Sequence, residues 1–327
     1  MLRLKGQAGV AERWSERLVG EATPAIARFE AEGDDARLAT AWRLLAWAHG
    51  TSLQLTLAAQ AAERAMTHAR LAGDARQARR AASHYAMAAL HGPTPVSEAI
   101  RRCKEIAEES RGDRRTEGFV RSTLAPLHAM RGDFEEARRL YTEAQSMLAE
   151  LGRTVLGSST SLSSCGVERL AGDLAAAERE LRRDYQSLTE LGEKYLLSTV
   201  AGELARVLYE QMRFDEAEEM SLHAQQLADA DDVASQTLWR TVYAKVLARG
   251  GNKDGALILV GEAVDMLGRT DAVVAQAETL VDLAEVLRFA GRNDDADSVL
   301  DDAVALLDAK GNAVRAERIR ALAGTFA

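Results

Sequence analysis

Apolar residues recur along the chain at the spacing of an amphipathic helix, and the pattern is interrupted at regular intervals. Within residues 113–151, one apolar stretch from Phe119 to Leu127 stops at the turn 131–133, and a second continues to Leu148. Spacings of three and four residues place such side chains on one face of a helix. A glycine just past a helix adopts the left-handed conformation, and an Asp after it caps the next helix. The pattern therefore predicts two helices joined by a tight turn.

Small residues mark these two helices throughout the chain. One alanine series recurs in steps of 37 to 40 residues: Ala22, Ala62, Ala99, Ala137, Ala177, Ala217, Ala256 and Ala296. A second series has the same period: Ala46, Ala86, Ala125, Cys165, Ala205, Ala244 and Ala284. Helix axes approach to the low end of about 8–10 Å only where the side chains between them are short. The period predicts an all-α stack of helical hairpins, each about 40 residues long.

Several segments resemble the tetratricopeptide repeat (TPR). They are Arg131-Gly132-Asp133-Phe134-Glu135-Glu136-Ala137 with Tyr141 and Ala144, then Met212 to Ala217 with Ala224, and Trp42, Leu45 and Ala46. The resemblance implies a right-handed α-solenoid of helix-turn-helix repeats with the first helices lining a concave surface. We expect the hairpins to stack in sequence order, each touching only its immediate neighbours.

The repeat register divides the chain into three parts. We expect an N-terminal half-repeat with only a second helix over residues 1–32, seven TPR-like hairpins over 33–310, and a C-terminal capping helix over 311–327. A start in the middle of a repeat favours a fragment of a longer protein. The alternative is that a partner supplies the missing first helix.

Three further segments resemble the C-terminal helical-repeat region of large bacterial signalling proteins. These segments are His91-Gly92-Pro93-Thr94-Pro95-Val96, Leu196 to Ala201, and Asp282 to Arg288. Proteins of that kind carry a class III adenylate or guanylate cyclase domain and an ATPase module upstream. This chain has no Gly-x4-Gly-Lys-Ser/Thr phosphate loop. The resemblance therefore implies a signalling context without a catalytic activity.

Composition limits the classes of function. The 327 residues are 47% hydrophobic and 28% charged, which is enough apolar content for a packed core. The net charge of −9 argues against a general nucleic-acid or anionic-membrane binder. No apolar run approaches the roughly 20 residues that span a bilayer. Two cysteines and the lack of a glycosylation sequon indicate a cytoplasmic protein.

The sequence shows no recognisable catalytic or metal-binding motif. Its six histidines are scattered, and His84 and His91 lack a third ligand at metal spacing. Cys103 and Cys165 lie too far apart in the array for a disulfide and are predicted to be buried thiols. We therefore expect a non-catalytic protein without a cofactor or metal; an enzyme is the less favoured alternative.

Charged residues suggest where a partner could bind. If the first helices line a groove, basic side chains over an apolar floor suit an extended peptide with acidic groups or a free carboxylate. The predicted groove residues are Arg43, Trp47, Arg80, Met87, Phe119, Arg169, Arg206, Tyr209, Lys245 and Arg288, with Glu210, Glu278 and Glu285 nearby. Residues 1–160 carry a net charge of +3 and residues 161–327 a net charge of −12, so a docking patch at each end is an alternative.

One segment does not fit the helical pattern well. Residues 157–166 fall in a first helix of the register, yet they are mostly Ser, Thr and Gly, which are poor helix formers. Tight packing with serines hydrogen-bonded to the preceding turn is the favoured interpretation. A flexible point in the solenoid is the alternative.

These observations favour a non-catalytic scaffold that binds a protein or peptide, as the regulatory or sensor arm of a cyclase- or ATPase-type signalling protein. The alternative is a sensor whose superhelix changes curvature when a small effector or signalling peptide binds. A transcription regulator is disfavoured because the short N-terminal segment leaves no room for a helix-turn-helix domain.

Overall fold

The computed structural model describes residues 14–152, 155–157 and 160–324, and within them the chain forms helices and turns without a strand. Parts of the predicted terminal segments, residues 1–13 and 325–327, lie outside the described residues. The helices are α1 (Trp14–Glu32), α2 (Asp35–Thr51), α3 (Leu55–Leu71), α4 (Ala75–His91), α5 (Val96–Glu109), α6 (Arg114–Met130), α7 (Phe134–Ala149), α8 (Ser161–Ala171), α9 (Leu174–Leu191), α10 (Tyr195–Glu210), α11 (Phe214–Leu227), α12 (Val233–Arg249), α13 (Lys253–Leu267), α14 (Val273–Phe289), α15 (Asn293–Lys310) and α16 (Ala313–Gly324).

Consecutive helices pair into hairpins from α2–α3 to α14–α15, and the first helices of successive hairpins also pack together. Both series of small residues lie in these seams. Ala137 and Ala217, on second helices, are fully buried, as are Ala125 and Ala205 on first helices. The prediction of an all-α hairpin stack held together by short side chains is confirmed.

The turns follow the predicted chemistry. Asp34, Asp74 and Asp113 each accept a hydrogen bond from a backbone N–H in the first turn of the helix that follows. The turn inside most hairpins contains a glycine with positive φ, such as Gly251 at +92°. The α10–α11 turn has Met212 instead, at φ +63° with its side chain exposed. A residue other than glycine is strained in this left-handed backbone conformation.

The serine-rich segment shortens one helix. α8 has 11 residues, whereas the first helices of the other hairpins have 16 or 17. Residues 158–159 lie outside the described part, and the helix begins only at Ser161. The buried Asp184 of α9 accepts the Ser161 N–H at 2.7 Å, and Ser164 bonds back to the Thr160 carbonyl. The placement of all of residues 157–166 in a first helix was therefore wrong at its N-terminal end.

Hairpins distant in sequence also meet, so the prediction that each repeat touches only its neighbours was wrong. α14 contacts α4, and α16 contacts α6. Gln54, which follows α2, donates to the carbonyl of Arg269, which precedes α14, at 2.7 Å. Short side chains at the seams allow tight curvature, which brings the seventh hairpin against the first two. The superhelix closes on itself, and its first helices face one another instead of an open groove.

Charged residues in both halves of the chain form local pairs. Arg79 pairs with Asp113 and Arg101 with Glu105 in the N-terminal half, and Asp297 pairs with Arg288 in the C-terminal half. Exposed pairs of this kind contribute little to stability. Among the helices described, none combines the length and the apolar character needed to cross a membrane.

Replacing Met212 with glycine is expected to stabilise the protein. Left-handed backbone costs a non-glycine residue about 1–2 kcal/mol, and the extra freedom of glycine in the unfolded chain returns about 0.4–1 kcal/mol, leaving a gain of about 0.5–1 kcal/mol. Urea denaturation measures the difference, and Gly251→Ala is the matched control that should destabilise. Equal or lower stability of Met212→Gly would contradict the strain.

Candidate functional site: a buried charge cluster on the inner surface

Charged side chains gather where first helices of non-adjacent hairpins meet. Three cations project from three successive first helices: Arg169 on α8, Arg206 on α10 and Lys245 on α12. Opposite them lie Glu278 and Asp282 of α14. The inner cluster is defined as Arg169, Glu203, Arg206, Tyr209, Glu210, Lys245, Glu278, Asp282, Glu285 and Arg315.

Glu278 lies between two guanidinium groups. Arg315 of α16 donates to its two carboxylate oxygens at 2.7 and 3.0 Å, and an Arg169 amine lies 3.5 Å away. Arg169 itself donates to both oxygens of Glu210 at 3.1 and 2.5 Å. Arg318 donates to the Arg169 carbonyl at 2.9 Å. These bonds join the fourth, fifth and seventh hairpins to the C-terminal helix.

Asp282 pairs with the other two cations, Lys245 and Arg206. The Lys245 amine is 2.7 Å from one carboxylate oxygen, and an Arg206 amine is 3.5 Å from the other. The second contact of Arg206, to Glu203, is also long at 3.7 Å. The Nε of Arg206 is buried without a hydrogen-bond partner. Arg206 is 7% exposed, so this cation is desolvated and incompletely paired.

An aromatic ring forms one side of the cluster. The Tyr209 hydroxyl donates to Glu285 at 2.5 Å, and the Lys245 amine lies 4.3 Å from the Tyr209 ring centroid. A cation over an aromatic face is attracted by the ring quadrupole. The Phe214 ring packs edge-on against Tyr209 at 5.2 Å. The cluster thus combines charge of both signs with an apolar face.

Three acidic groups of the inner cluster, Glu210, Glu278 and Asp282, have a lowered pKa. Burial on its own raises a carboxyl pKa, but for Glu210 the adjacent Arg169 outweighs this and lowers the pKa. For Glu278 the cations Arg315 and Arg169 likewise overcome burial and lower the pKa. Lys245 does the same for Asp282.

The pKa values of Arg169 and Tyr209 are shifted the other way. Burial disfavours the charged form of Arg169, but Glu210 and Glu278 raise its pKa well above the ordinary value. Burial and then Glu285 raise the pKa of Tyr209. All these shifts move away from pH 7, whereas a general acid or base works best with a pKa near the working pH. The arrangement suits binding of charged groups better than proton transfer.

The structure brings four of the ten predicted groove residues together in the inner cluster: Arg169, Arg206, Tyr209 and Lys245. The N-terminal ones make other contacts. Trp47 stacks on Trp14 of α1 with ring centroids 4.2 Å apart, and Arg80 and Met87 of α4 are exposed.

The remaining three predicted groove residues also lie elsewhere. Arg43 is buried and donates to Gln77 at 2.9 Å. Phe119 is half-buried against the core of the first hairpins. Arg288 pairs with Asp297 of α15 at 3.0 Å. The ten residues therefore do not converge on one site.

Sequence reasoning missed Glu203, Asp282 and Arg315. A signal was present, because Glu203 and Asp282 lie 79 residues apart, as do Arg206 and Glu285. Two periods of the repeat place each pair at the same position of a first helix. Only the closure of the superhelix brings these positions face to face.

The described residues contain no group of three or more His, Cys, Asp and Glu side chains placed to hold a metal ion. Cys103 and Cys165 are buried, free thiols. Burial raises the pKa of Cys103 to about 12, which keeps it in the unreactive thiol form.

No family model matches the chain, and no curated protein matches it by sequence. Solved structures do resemble it in fold. A Rap protein complexed with competence and sporulation factor has a TM-score of 0.54 at 11% identity, covering 96% of this chain and 99% of that chain.

A signal transduction ATPase with numerous domains and a tetratricopeptide repeat sensor, from Pyrococcus horikoshii, also has a TM-score of 0.54. It is 16% identical, and the match covers 85% of this chain and 42% of that chain. These similarities establish the chain as an all-α solenoid of TPR-like repeats. They do not confirm the resemblance to the cyclase-associated region.

Replacing Glu278 with glutamine is expected to destabilise the protein strongly. The change leaves Arg315 and Arg169 partly buried without their shared carboxylate, and breaking a buried ion pair costs about 3–5 kcal/mol. Thermal or urea denaturation measures the loss. The control Glu262→Gln alters an exposed pair with Arg240 and should stay within about 0.5 kcal/mol. Similar stabilities of the two variants would show that the cluster contributes little.

Stability is expected to fall as the solution is acidified. Because the folded-state pKa of Glu210, Glu278 and Asp282 is lowered, their contribution is complete above the ordinary pKa, 4.5 for Glu and 3.8 for Asp, and is lost as the pH falls below it. The free energy of unfolding should decline less steeply in Glu278→Gln than in the wild-type protein below about pH 4.5. Parallel pH profiles would refute the assignment for Glu278.

Proposed function

We propose that this chain is a non-catalytic scaffold that binds a peptide, or a peptide segment of a protein, on its inner surface. One observation carries the proposal. Arg169, Arg206 and Lys245 come from three successive hairpins, and all three pair with two carboxylates of the seventh hairpin, those of Glu278 and Asp282. Carboxylates of a ligand satisfy the same three cations. Charge-assisted bonds to such groups are about twice as strong as neutral ones.

Two further features support a carboxylate-bearing ligand. Arg206 is buried with one donor, its Nε, unused, so a ligand carboxylate that replaces Asp282 can form one bond more than Asp282 does. Tyr209 and Phe214 supply an aromatic face next to the cations, which favours an apolar side chain on the ligand. An extended peptide presents both kinds of group at once.

The comparison with the Rap protein agrees with this proposal. That structure contains bound competence and sporulation factor, and its fold resembles this chain over nearly its full length. The pKa shifts in the inner cluster, all away from neutrality, support a binding role over an enzymatic one.

A regulatory arm of an ATPase-type signalling protein is the cellular context we propose. The Pyrococcus horikoshii ATPase, which has a repeat sensor of similar fold within a longer chain, supports this context. The cyclase association remains a proposal from the sequence resemblance alone. A small-effector sensor is the second candidate, favoured by the self-closed superhelix, since such an array can change curvature when a ligand binds.

Selection from a random peptide display library on the immobilised full chain tests the proposal. Enriched peptides should carry Asp, Glu or a free C-terminal carboxylate, and calorimetry should show at least about tenfold weaker binding to Arg206→Gln, which has lost a charged partner. Binding should also weaken as salt is raised, because the contacts are ionic.

The control for this experiment is Arg179→Gln, which removes an exposed arginine of α9 outside the inner cluster. It should bind like the wild-type protein. Enrichment of basic peptides would contradict the ligand class. The absence of enrichment, or equal affinity for Arg206→Gln, would contradict the site.

A further inference from the structure

The seventh hairpin, α14–α15, is held at both of its ends by the first two hairpins. Asp271 lies just before α14 begins, and Lys310 is the last residue of α15. Asp271 binds the start of α3, and Lys310 binds the end of α4 and the loop that follows it. The bonded residues are 215 to 221 positions apart in the chain.

Asp271 caps a helix that has no cap of its own. The residue before α3 is Gln54, which makes no side-chain capping bond. Instead, the Asp271 carboxylate accepts the backbone N–H groups of Leu55 at 2.5 Å and Thr56 at 2.8 Å. Gln54 in turn donates to the Arg269 carbonyl at 2.7 Å. A carboxylate at a helix N-terminus satisfies free donors and interacts favourably with the helix dipole.

Lys310 is the complementary contact at a helix C-terminus. Its amine is buried and donates to the carbonyls of Ala89 at 2.6 Å, Gly92 at 2.8 Å and Thr94 at 2.6 Å. All three ammonium protons are therefore used. A cation at a helix C-terminus is favoured by the dipole.

The proline-containing loop after α4 prepares these acceptors. Gly92 and Thr94 each precede a proline, which holds such residues in extended conformations and cannot itself donate a backbone hydrogen bond. Gly92 is in an extended conformation at the end of α4. A Cβ there would lie 2.8 Å from the Cβ of Leu55, so only glycine fits. The two binding points thus touch each other through Gly92 and Leu55.

We propose that Asp271 and Lys310 form a latch that holds the seventh hairpin in place. In this position Glu278 and Asp282 of that hairpin pair with the cations of the inner cluster. The latched form is autoinhibited, because Glu278 and Asp282 occupy the groups that a ligand's carboxylates bind. Release of the latch frees α14 and uncovers Arg169, Arg206 and Lys245. The autoinhibitory role rests on the proposed function; the closed shape held by the latch does not.

Lys310→Met and Asp271→Asn test the latch, since each removes a charge while keeping the size of the side chain. Hydrogen exchange should become about tenfold faster or more at residues 278–285 and 203–210, because the seventh hairpin moves away once the latch is lost and breaks the ion pair between these segments. Small-angle X-ray scattering should show a larger maximum dimension. Protection of α7 should be unchanged.

The matched controls are Lys253→Met and Asp302→Asn, both at exposed positions. A local readout is also available, because Asp271→Asn should speed exchange of the Leu55 and Thr56 amides. The Gln77 amide, capped by Asp74 within its own turn, should not change. If Lys310→Met fails to fold, as judged by circular dichroism, the latch is tested with Asp271→Asn alone, through the global measurements and the exchange of the Leu55 and Thr56 amides.

Unchanged exchange and dimensions in both variants would overturn the latch. A uniform rise in exchange across all hairpins would also overturn it, since that result indicates global destabilisation. The peptide selection is a separate measurement. An open variant that binds no peptide would refute the proposed function but not the latch. An open variant that binds peptide with the same affinity as the wild-type protein would refute the autoinhibition.

Discussion

The closed shape of this superhelix depends on ionic contacts of the seventh hairpin: α14 pairs with the cations of α8, α10 and α12, and Asp271 and Lys310 bind the first two hairpins. Glu278 and Asp282 are the points at which the fourth, fifth, sixth and seventh hairpins and α16 meet. In an open repeat array each unit interacts only with its neighbours, and curvature is the sum of small rotations. Here, ion pairs between non-adjacent hairpins favour the closed curvature.

Buried ion pairs are a costly way to hold helices together. Desolvating two charges can cancel their attraction, and apolar residues of similar size often stabilise as well or better. They do impose a specific orientation, because a guanidinium group donates two hydrogen bonds to a carboxylate in few geometries. An apolar inner surface would allow the seventh hairpin to slide against the fourth, whereas Arg169 of the fourth hairpin and Arg315 of α16 bind Glu278 in one register.

The hairpin architecture could be predicted from the sequence because its causes are local. Ala137 and Ala125 mark a seam within one hairpin, and Asp113 caps the helix that follows it. The inner cluster could be predicted only in part, since Arg169 and Glu278 belong to hairpins with no local relation. The short α8 depends on Asp184 of the next helix, and the Asp271 and Lys310 contacts depend on global curvature, which a repeat period does not specify.

A scaffold whose binding groups are occupied by its own side chains has an affinity set by two equilibria. The apparent dissociation constant is the intrinsic one divided by the fraction of molecules in the open form. If the latch and the α14 ion pairs together favour closure by about 2.8 kcal/mol, that fraction is about 1%, and affinity falls about a hundredfold. A ligand must therefore engage several cations at once, because a single carboxylate replaces only one of the internal bonds. This requirement favours an extended peptide over a small anion, and it couples binding to a change in the shape of the whole superhelix.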